Sequence, residues 1–136
     1  MKPFVIIFCI LAALFLITLP FELSRRRRMQ SYWGRVCTGF QWRRRFPTAS
    51  SVEVREFLDL FVDAFAFSRK KRLCFSPDDR IMDVYRAIYP PGSLSDSLEL
   101  ETLAITLEKR YGIDVSKSGS KDITLGEIYE QTHRVA

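Results

Sequence analysis

A serine between an aspartate and a leucine is the residue of this chain best placed for covalent chemistry. Asp96, Ser97 and Leu98 stand just ahead of a segment with a helical pattern. Its apolar residues recur every three or four positions: Leu100, Leu103, Leu107 and Tyr111. This spacing predicts an amphipathic helix with Ser97 in its exposed first turn. Ser97 is therefore either an ordinary first-turn serine or a point of attachment.

The rest of the sequence offers no catalytic constellation. Its one histidine, His133, lies near the end and reads as a solvated residue. The three cysteines, Cys9, Cys37 and Cys74, lack the spacing of a disulfide framework or a zinc site, which favours a reducing compartment. There is no nucleophile–base pair, glycine-rich phosphate loop or metal-spaced cluster. The sequence therefore predicts a protein without a catalytic constellation of its own, and not an enzyme.

The elements around Ser97 read as helices throughout. Asp96 suits the N-cap of the predicted helix, with Glu99 reaching back to it, and Gly112 ends it. No run alternates with period two, so no sheet is expected. We predict an all-α fold, with a four-helix bundle over residues 50–136.

Three further helix starts complete this bundle. Ser50 with Glu53 has the form of a capping box, ahead of a helix over residues 51–67. Ser76 before Pro77 predicts a second start, and that helix stops at Pro90. Thr124 with Glu127 repeats the box at the last helix.

The first 24 residues predict a transmembrane anchor. Residues 3–23 carry no charge before Glu22. About 20 apolar residues cross a hydrocarbon core of roughly 30 Å. The alternative is a cleaved signal peptide, which needs a shorter apolar core and a small-x-small cleavage site. The exit from Thr18 to Leu23 contains no such site.

Charge predicts the orientation of this anchor. Residues 1–45 hold nine basic residues and one acidic residue, a net charge of +8, whereas residues 46–136 hold 12 and 15, a net charge of −3. Arg25, Arg26, Arg27 and Arg28 directly follow the span. The positive-inside rule then places the C-terminal domain in the cytoplasm.

Residues 25–49 predict a basic, aromatic juxtamembrane linker. Arginines alternate there with Tyr32, Trp33, Phe40 and Trp42. Beside a membrane span, this pattern favours a collar at the lipid headgroups, in which the arginines contact anionic lipids. A solvated basic linker is the nearest alternative. A nucleic-acid site is the less favoured reading, and no nucleic-acid partner is expected.

The pattern around Ser97 resembles an acyl carrier protein. Those proteins carry Asp-Ser-Leu at the start of their second helix, then leucines and acids that end in an aromatic and a Gly/Ile/Val exit. A Thr-(Val/Leu)-Gly-(Asp/Glu) helix start follows near the C-terminus. The matching residues here are Asp96 to Leu100, Leu103, Leu107 to Val115 and Ile123 to Ile128. The resemblance covers roughly residues 52–129, and the chain looks most like the small carrier-like proteins of bacterial genomes.

The resemblance implies a covalent 4′-phosphopantetheine on Ser97, whose thiol holds acyl groups as thioesters. It implies that Asp96 helps present the site to a phosphopantetheinyl transferase. Acyl-transferring enzymes would dock on the second helix, through Leu98, Glu99, Glu101, Ile105 and Glu108. The sequence departs from the family at Leu94, where a glycine is usual, and in a second helix that Lys109 and Arg110 make less acidic.

Three functions remain in view. The first is a carrier anchored in the bacterial inner membrane, with lipid metabolism as its setting. The second is an unmodified, carrier-shaped interaction or regulatory module. The third is a basic membrane-surface protein whose collar is the working part.

Overall fold

The computed structural model describes residues 2–92, 97–118 and 122–135. In these ranges the chain is all-α, and two residues, Arg80 and Thr124, form an isolated antiparallel bridge. Two 3₁₀ helices cover Arg69–Cys74 and Val115–Ser118. The α-helices are α1 (Pro3–Trp33), α2 (Gly39–Arg45), α3 (Ser51–Ala64), α4 (Ile81–Ile88), α5 (Leu98–Tyr111) and α6 (Leu125–Val135). The predicted all-α class with a long apolar N-terminal helix is confirmed.

Helix α1 continues without interruption from the apolar segment into the domain. Its most apolar 18 residues have a mean hydropathy of 2.9 and none is buried, so this helix is long and apolar enough to cross a membrane. At its other end, Met29 and Tyr32 are buried in the core. The packing therefore does not follow the predicted boundaries at residues 24 and 49, because residues 25–49 supply part of the core.

The predicted aromatic collar is wrong for Tyr32 and Trp42. The Trp42 side chain is 1% exposed, and its indole N–H donates to the carbonyl of Phe75 over 2.9 Å. Its ring also packs against Phe57 and Tyr129. Of the four aromatic residues predicted for the collar, Phe40 is the exposed one, at 67%. Trp42 lies in the core because the segment after α1 packs against α3, whereas Tyr32, in the last turn of α1, packs against Phe75.

Helix α3 ends three residues earlier than predicted. The Phe67 N–H donates to Val62 and the Ala66 N–H donates to Asp63, which is the pattern of a Schellman turn. Ala66 has a φ of 55°, in the left-handed region that favours glycine. The predicted capping box is present at the N-terminus of α3, since the side chains of Ser50 and Glu53 each accept the other's backbone N–H.

We expect Ala66→Gly to raise the free energy of unfolding by about 1 kcal/mol, because glycine removes the steric cost of the left-handed conformation. Thermal unfolding of the full chain in detergent measures this change. Ala64→Gly, at the last residue of α3, is the matched control and should not stabilise the protein, because Ala64 has an ordinary negative φ. Stabilisation by both changes, or by neither, would contradict the assignment of the turn.

The segment from Ser76 to Asp79 is a turn and not the predicted helix start. The Asp79 carboxylate accepts the Ser76 backbone N–H over 2.7 Å, and α4 begins only at Ile81. The same carboxylate accepts from the guanidinium of Arg35 over 2.6 Å, and this bond raises the pKa of Arg35. The turn therefore ties the start of α4 to the segment that follows α1.

Arg28 ties the other end of α4 to α1. Its Nε donates to the carbonyl of Ala87 over 2.7 Å, and Nη2 donates to that of Ile88 over 3.3 Å. A cation at the C-terminus of a helix meets carbonyls that have no partner within the helix. Arg28 was predicted to contact lipids together with Arg25, Arg26 and Arg27. Its guanidinium donates to carbonyls within the protein, and its contact with lipids stays a prediction.

We expect Arg28→Ala to lower the free energy of unfolding by about 1.5–3 kcal/mol, the range for hydrogen bonds to charged groups. Arg27→Ala is the matched control, because Arg27 is exposed on the same turn of α1. Its effect should stay within about 0.5 kcal/mol. Equal losses for the two variants would show that Arg28 holds α4 no more than a surface arginine does.

Candidate functional site

Ser97 occupies the residue directly before α5. It is the N-cap, and its side chain is partly exposed. Its hydroxyl does not cap the helix and instead donates to a carboxylate oxygen of Glu101 over 3.4 Å. Asp96, which was predicted to be this cap and to be part of the site, lies outside the described residues, as does Leu94.

The backbone of Ser97 is strained. Its φ and ψ are 57° and 17°, in the left-handed region. This conformation costs a residue with a side chain roughly 1–2 kcal/mol. Among the described residues, Ala66 is the other non-glycine residue with a positive φ. Glycine would adopt this backbone conformation at a lower cost than serine does.

Glu99 points into the protein. One of its carboxylate oxygens accepts the hydroxyl of Tyr89, and the other is buried and has no hydrogen-bond partner among the residues that the structure describes. Its side chain therefore links the first turn of α5 to the end of α4, and its contact with partner proteins stays a prediction. Sequence reasoning missed Tyr89, and no motif marks it.

The other four predicted partner contacts form one exposed stripe along α5. Leu98 is 58% exposed and Ile105 is 52% exposed. Glu101 and Glu108 are exposed as well. The spacings of three, four and three residues put all four on one face of the helix. The stripe therefore mixes apolar and acidic side chains, and its role in docking partners stays a prediction.

An apolar cavity of about 160 Å³ lies between α4 and α5. Leu100, the residue of its lining nearest to Ser97 in the sequence, is one helical turn further along α5. A cavity of this size is smaller than the roughly 300–1,000 Å³ of most ligand pockets. The lining residues are Ile81, Met82, Leu100, Leu103, Ala104, Leu107, Val115 and Ile123.

A second cavity, of about 250 Å³, lies beside His133. His133 was predicted to be a solvated tail residue. It is exposed, but it lies in α6 with its ring nitrogen 3.3 Å from the hydroxyl of Tyr129. No group of histidine, cysteine and acidic residues in the described part of the chain could hold a metal ion.

Stability at high pH should depend on Tyr129. Burial, followed by the nearby Glu53 carboxylate and Tyr111, raises the pKa of Tyr129 from 10.0 to about 12. The folded state therefore favours the neutral phenol. This contribution is complete below pH 10, the ordinary value, and disappears as the pH rises through about 12.

Between pH 9 and 11.5 the unfolding temperature of the natural chain should fall as the pH rises. In Tyr129→Phe this fall should be less steep, because phenylalanine has no phenol to ionise. Thermal unfolding across this range measures the slope. Tyr85→Phe, a half-buried tyrosine on α4, is the control. An unchanged slope in Tyr129→Phe would mean that another group controls alkaline unfolding.

One signal for the packing of Arg28 was present in the sequence. Met29, Tyr32 and Trp33 follow the arginine run at helical spacing, so the apolar stripe continues beyond the membrane span. Read in this way, the arginine cluster lies on a helix that packs against the domain, and one arginine must face it.

Comparisons with known proteins give no match that bears on the site. The chain matches no protein-family model, no curated protein and no solved structure. Its class is therefore given by its own features: a small all-α domain on a long apolar helix, with a strained, partly exposed serine at the start of α5.

Proposed function

We propose that this chain is a membrane-anchored acyl carrier protein, with 4′-phosphopantetheine attached to Ser97. The observation that carries the proposal is the hydroxyl of Ser97 at the start of α5, partly exposed and held in a left-handed backbone. Such a position leaves room for a flexible arm. A hydroxyl within the body of the helix, or one facing the core, would not.

The residues around Ser97 fit this arm. A phosphodiester on the hydroxyl would lie at the positive end of the helix dipole of α5. The Ser97 side chain makes no capping hydrogen bond to the backbone there. The hydrogen bond that it replaces, to Glu101, is long at 3.4 Å and exposed, so its loss costs little. When attached, the arm supplies a thiol that holds acyl groups as thioesters.

The chain's own residues would then position the acyl group and its partners. The apolar cavity beside Leu100 would receive a short acyl chain. The stripe of Leu98, Glu101, Ile105 and Glu108 would dock the transferase and the acyl-transferring enzymes. We assign no catalytic step to the chain itself.

Helix α1 would anchor this carrier in a membrane. The apolar part would span the bilayer, and Arg25, Arg26 and Arg27 would contact anionic headgroups on the side of the domain. The positive-inside rule places that side in the cytoplasm, with the bacterial inner membrane as the location.

A second candidate function is a carrier-shaped interaction module without the arm. Two observations favour it: Glu99 and Glu101 put two carboxylates in the first turn, where they repel a phosphodiester, and the hydroxyl of Ser97 already has a partner. In this case the α5 stripe would bind a protein partner directly.

Intact-mass measurement after co-expression with a broad-specificity phosphopantetheinyl transferase separates the two. The carrier proposal predicts a gain of one phosphopantetheine group in the natural chain and in Thr102→Ala, an exposed hydroxyl on the same helix. It predicts no gain in Ser97→Ala. A natural chain left unmodified by several transferases would support the second candidate instead.

A further inference from the structure

Helix α4 runs back towards the apolar part of α1. Asp79, two residues before α4, is held by Arg35, beyond the end of α1. Ala87 and Ile88, at the end of α4, are held by Arg28, about two turns earlier in the chain. The start of α4 therefore lies near the C-terminal end of α1, and its end lies nearer the arginine run and the span.

Helix α5 begins at this same end of the domain. The hydroxyl of Tyr89, the residue after α4, bonds to Glu99 in the first turn of α5. Leu107, two turns further along α5, lines a cavity with Ile81, the first residue of α4, as Leu100 does. The contact between Tyr89 and Glu99 therefore places Ser97 near the end of α4 that Arg28 holds, which is the end nearest the span.

The distance along α1 is short. Arg28 follows Leu23, the last apolar residue of the span, by five positions, or about 7.5 Å of helix. The headgroup region adds roughly 5–7 Å beyond the hydrocarbon on each side. The end of α4 that Arg28 holds therefore stands at the outer edge of the headgroups when α1 crosses the bilayer.

The exposed groups at this end match a lipid surface. Leu98, in the first turn of α5, is 58% exposed, and Pro91 and Gly92, which follow α4, are exposed as well. Arg26 and Arg27 are exposed on α1, next to Arg28 in the sequence. Apolar side chains next to arginines suit an anionic bilayer, in which arginine contacts phosphate and leucine enters the interface.

We infer that the Ser97 end of the domain lies against the lipid bilayer that α1 crosses, with Leu98, Arg26 and Arg27 at the contact, so that Glu101, Ile105 and Glu108 are the residues of the α5 stripe left to dock enzymes. The inference rests on the membrane anchoring in the proposed function. Its consequence for that function is that a group carried on Ser97 is delivered at the membrane surface. The acceptor is then a lipid or a membrane-embedded enzyme and not a soluble one.

A fluorescence-quenching experiment on the full chain tests this orientation. A bimane label is attached to Leu98→Cys or to Lys109→Cys, at the opposite ends of α5 and both exposed, with Cys9, Cys37 and Cys74 changed to serine. The protein is reconstituted into phosphatidylethanolamine–phosphatidylglycerol vesicles that contain a headgroup-nitroxide lipid. We expect quenching several-fold stronger at position 98. Equal quenching, quenching stronger at 109, or quenching of neither label would overturn the inference.

A second measurement avoids the cysteine changes. A benzophenone amino acid at position 98 or 109 of the otherwise natural chain is photolysed in the same vesicles. Lipid adducts should form mainly at 98, and adducts mainly at 109 would overturn the inference. In Arg28→Ala the difference in lipid-adduct yield between positions 98 and 109 should shrink at least twofold. An unchanged difference would show that Arg28 does not orient the domain.

The intact mass of the natural chain, measured in detergent, keeps this test distinct from that of the proposed function. Lipid contact at 98 without a phosphopantetheine adduct would uphold the orientation and remove the carrier role. An adduct on Ser97 without lipid contact at 98 would uphold the carrier role and overturn the orientation.

Discussion

Trp42→Ala is expected to lower the free energy of unfolding by about 3–5 kcal/mol, enough to unfold much of the domain. The indole is 1% exposed and packs against Phe57 and Tyr129. Removing it opens a cavity and also leaves the buried carbonyl of Phe75 without the Nε1–H that it accepts. Thermal and urea unfolding of the full chain in detergent measure the loss.

Phe40→Ala is the matched control for this variant. It removes an aromatic ring from the same short helix, but Phe40 is 67% exposed. Its effect on the detergent-solubilised protein should stay within about 0.5 kcal/mol. If Phe40→Ala were as damaging as Trp42→Ala, or if both were harmless, the segment after α1 would not be part of the core.

Ser97→Gly should abolish phosphopantetheine attachment and at the same time stabilise the domain by about 1 kcal/mol. Glycine relieves the left-handed backbone at φ 57° but has no hydroxyl to modify. The two readouts, intact mass and unfolding temperature, should therefore move in opposite directions. A merely structural serine would show the stability change alone.

Ser97→Thr is the control for this variant. It retains a hydroxyl but adds a β-branch, which the left-handed region accepts poorly, so it should destabilise the domain. If Ser97→Gly were strongly destabilising, the assignment of backbone strain to Ser97 would be wrong, whatever the outcome for modification.

The sequence predicted the elements whose signals are local. Ser50 with Glu53, and Thr124 with Glu127, form the capping boxes that their spacing indicates. Gly112 ends α5 in a left-handed conformation, as expected of a glycine after a helix. Each of these signals involves residues within one turn of each other, and their hydrogen bonds form whatever the rest of the fold does.

The errors arose where distant segments decide the outcome. Asp79 has the sequence context of a first-turn acid, but it accepts from Arg35, 44 positions earlier, and from the backbone of Ser76. The sequence around Trp42 is typical of an interfacial aromatic residue, but in the structure α3 and α6 bury it. Composition alone does not distinguish an aromatic residue at a membrane surface from one in a protein core.

The candidate site was predictable in part for the same reason. The apolar period of α5 located Ser97 at a helix start and put Leu98 and Ile105 on its exposed side. The inward turn of Glu99 depends on Tyr89, which lies on the preceding helix. The orientation of the site relative to the span depends on Arg28, which is 59 positions from the carbonyl of Ala87.

Tandem mass spectrometry of the tryptic peptide from Ala87 to Lys109 tests the central claim most directly. After treatment of the full chain with a phosphopantetheinyl transferase and coenzyme A, this peptide presents Ser93, Ser95 and Ser97 together. We predict a phosphopantetheine group on Ser97 alone. A peptide that stays unmodified, while a known acyl carrier protein in the same reaction is converted, or one modified at another serine, would contradict the assignment of Ser97.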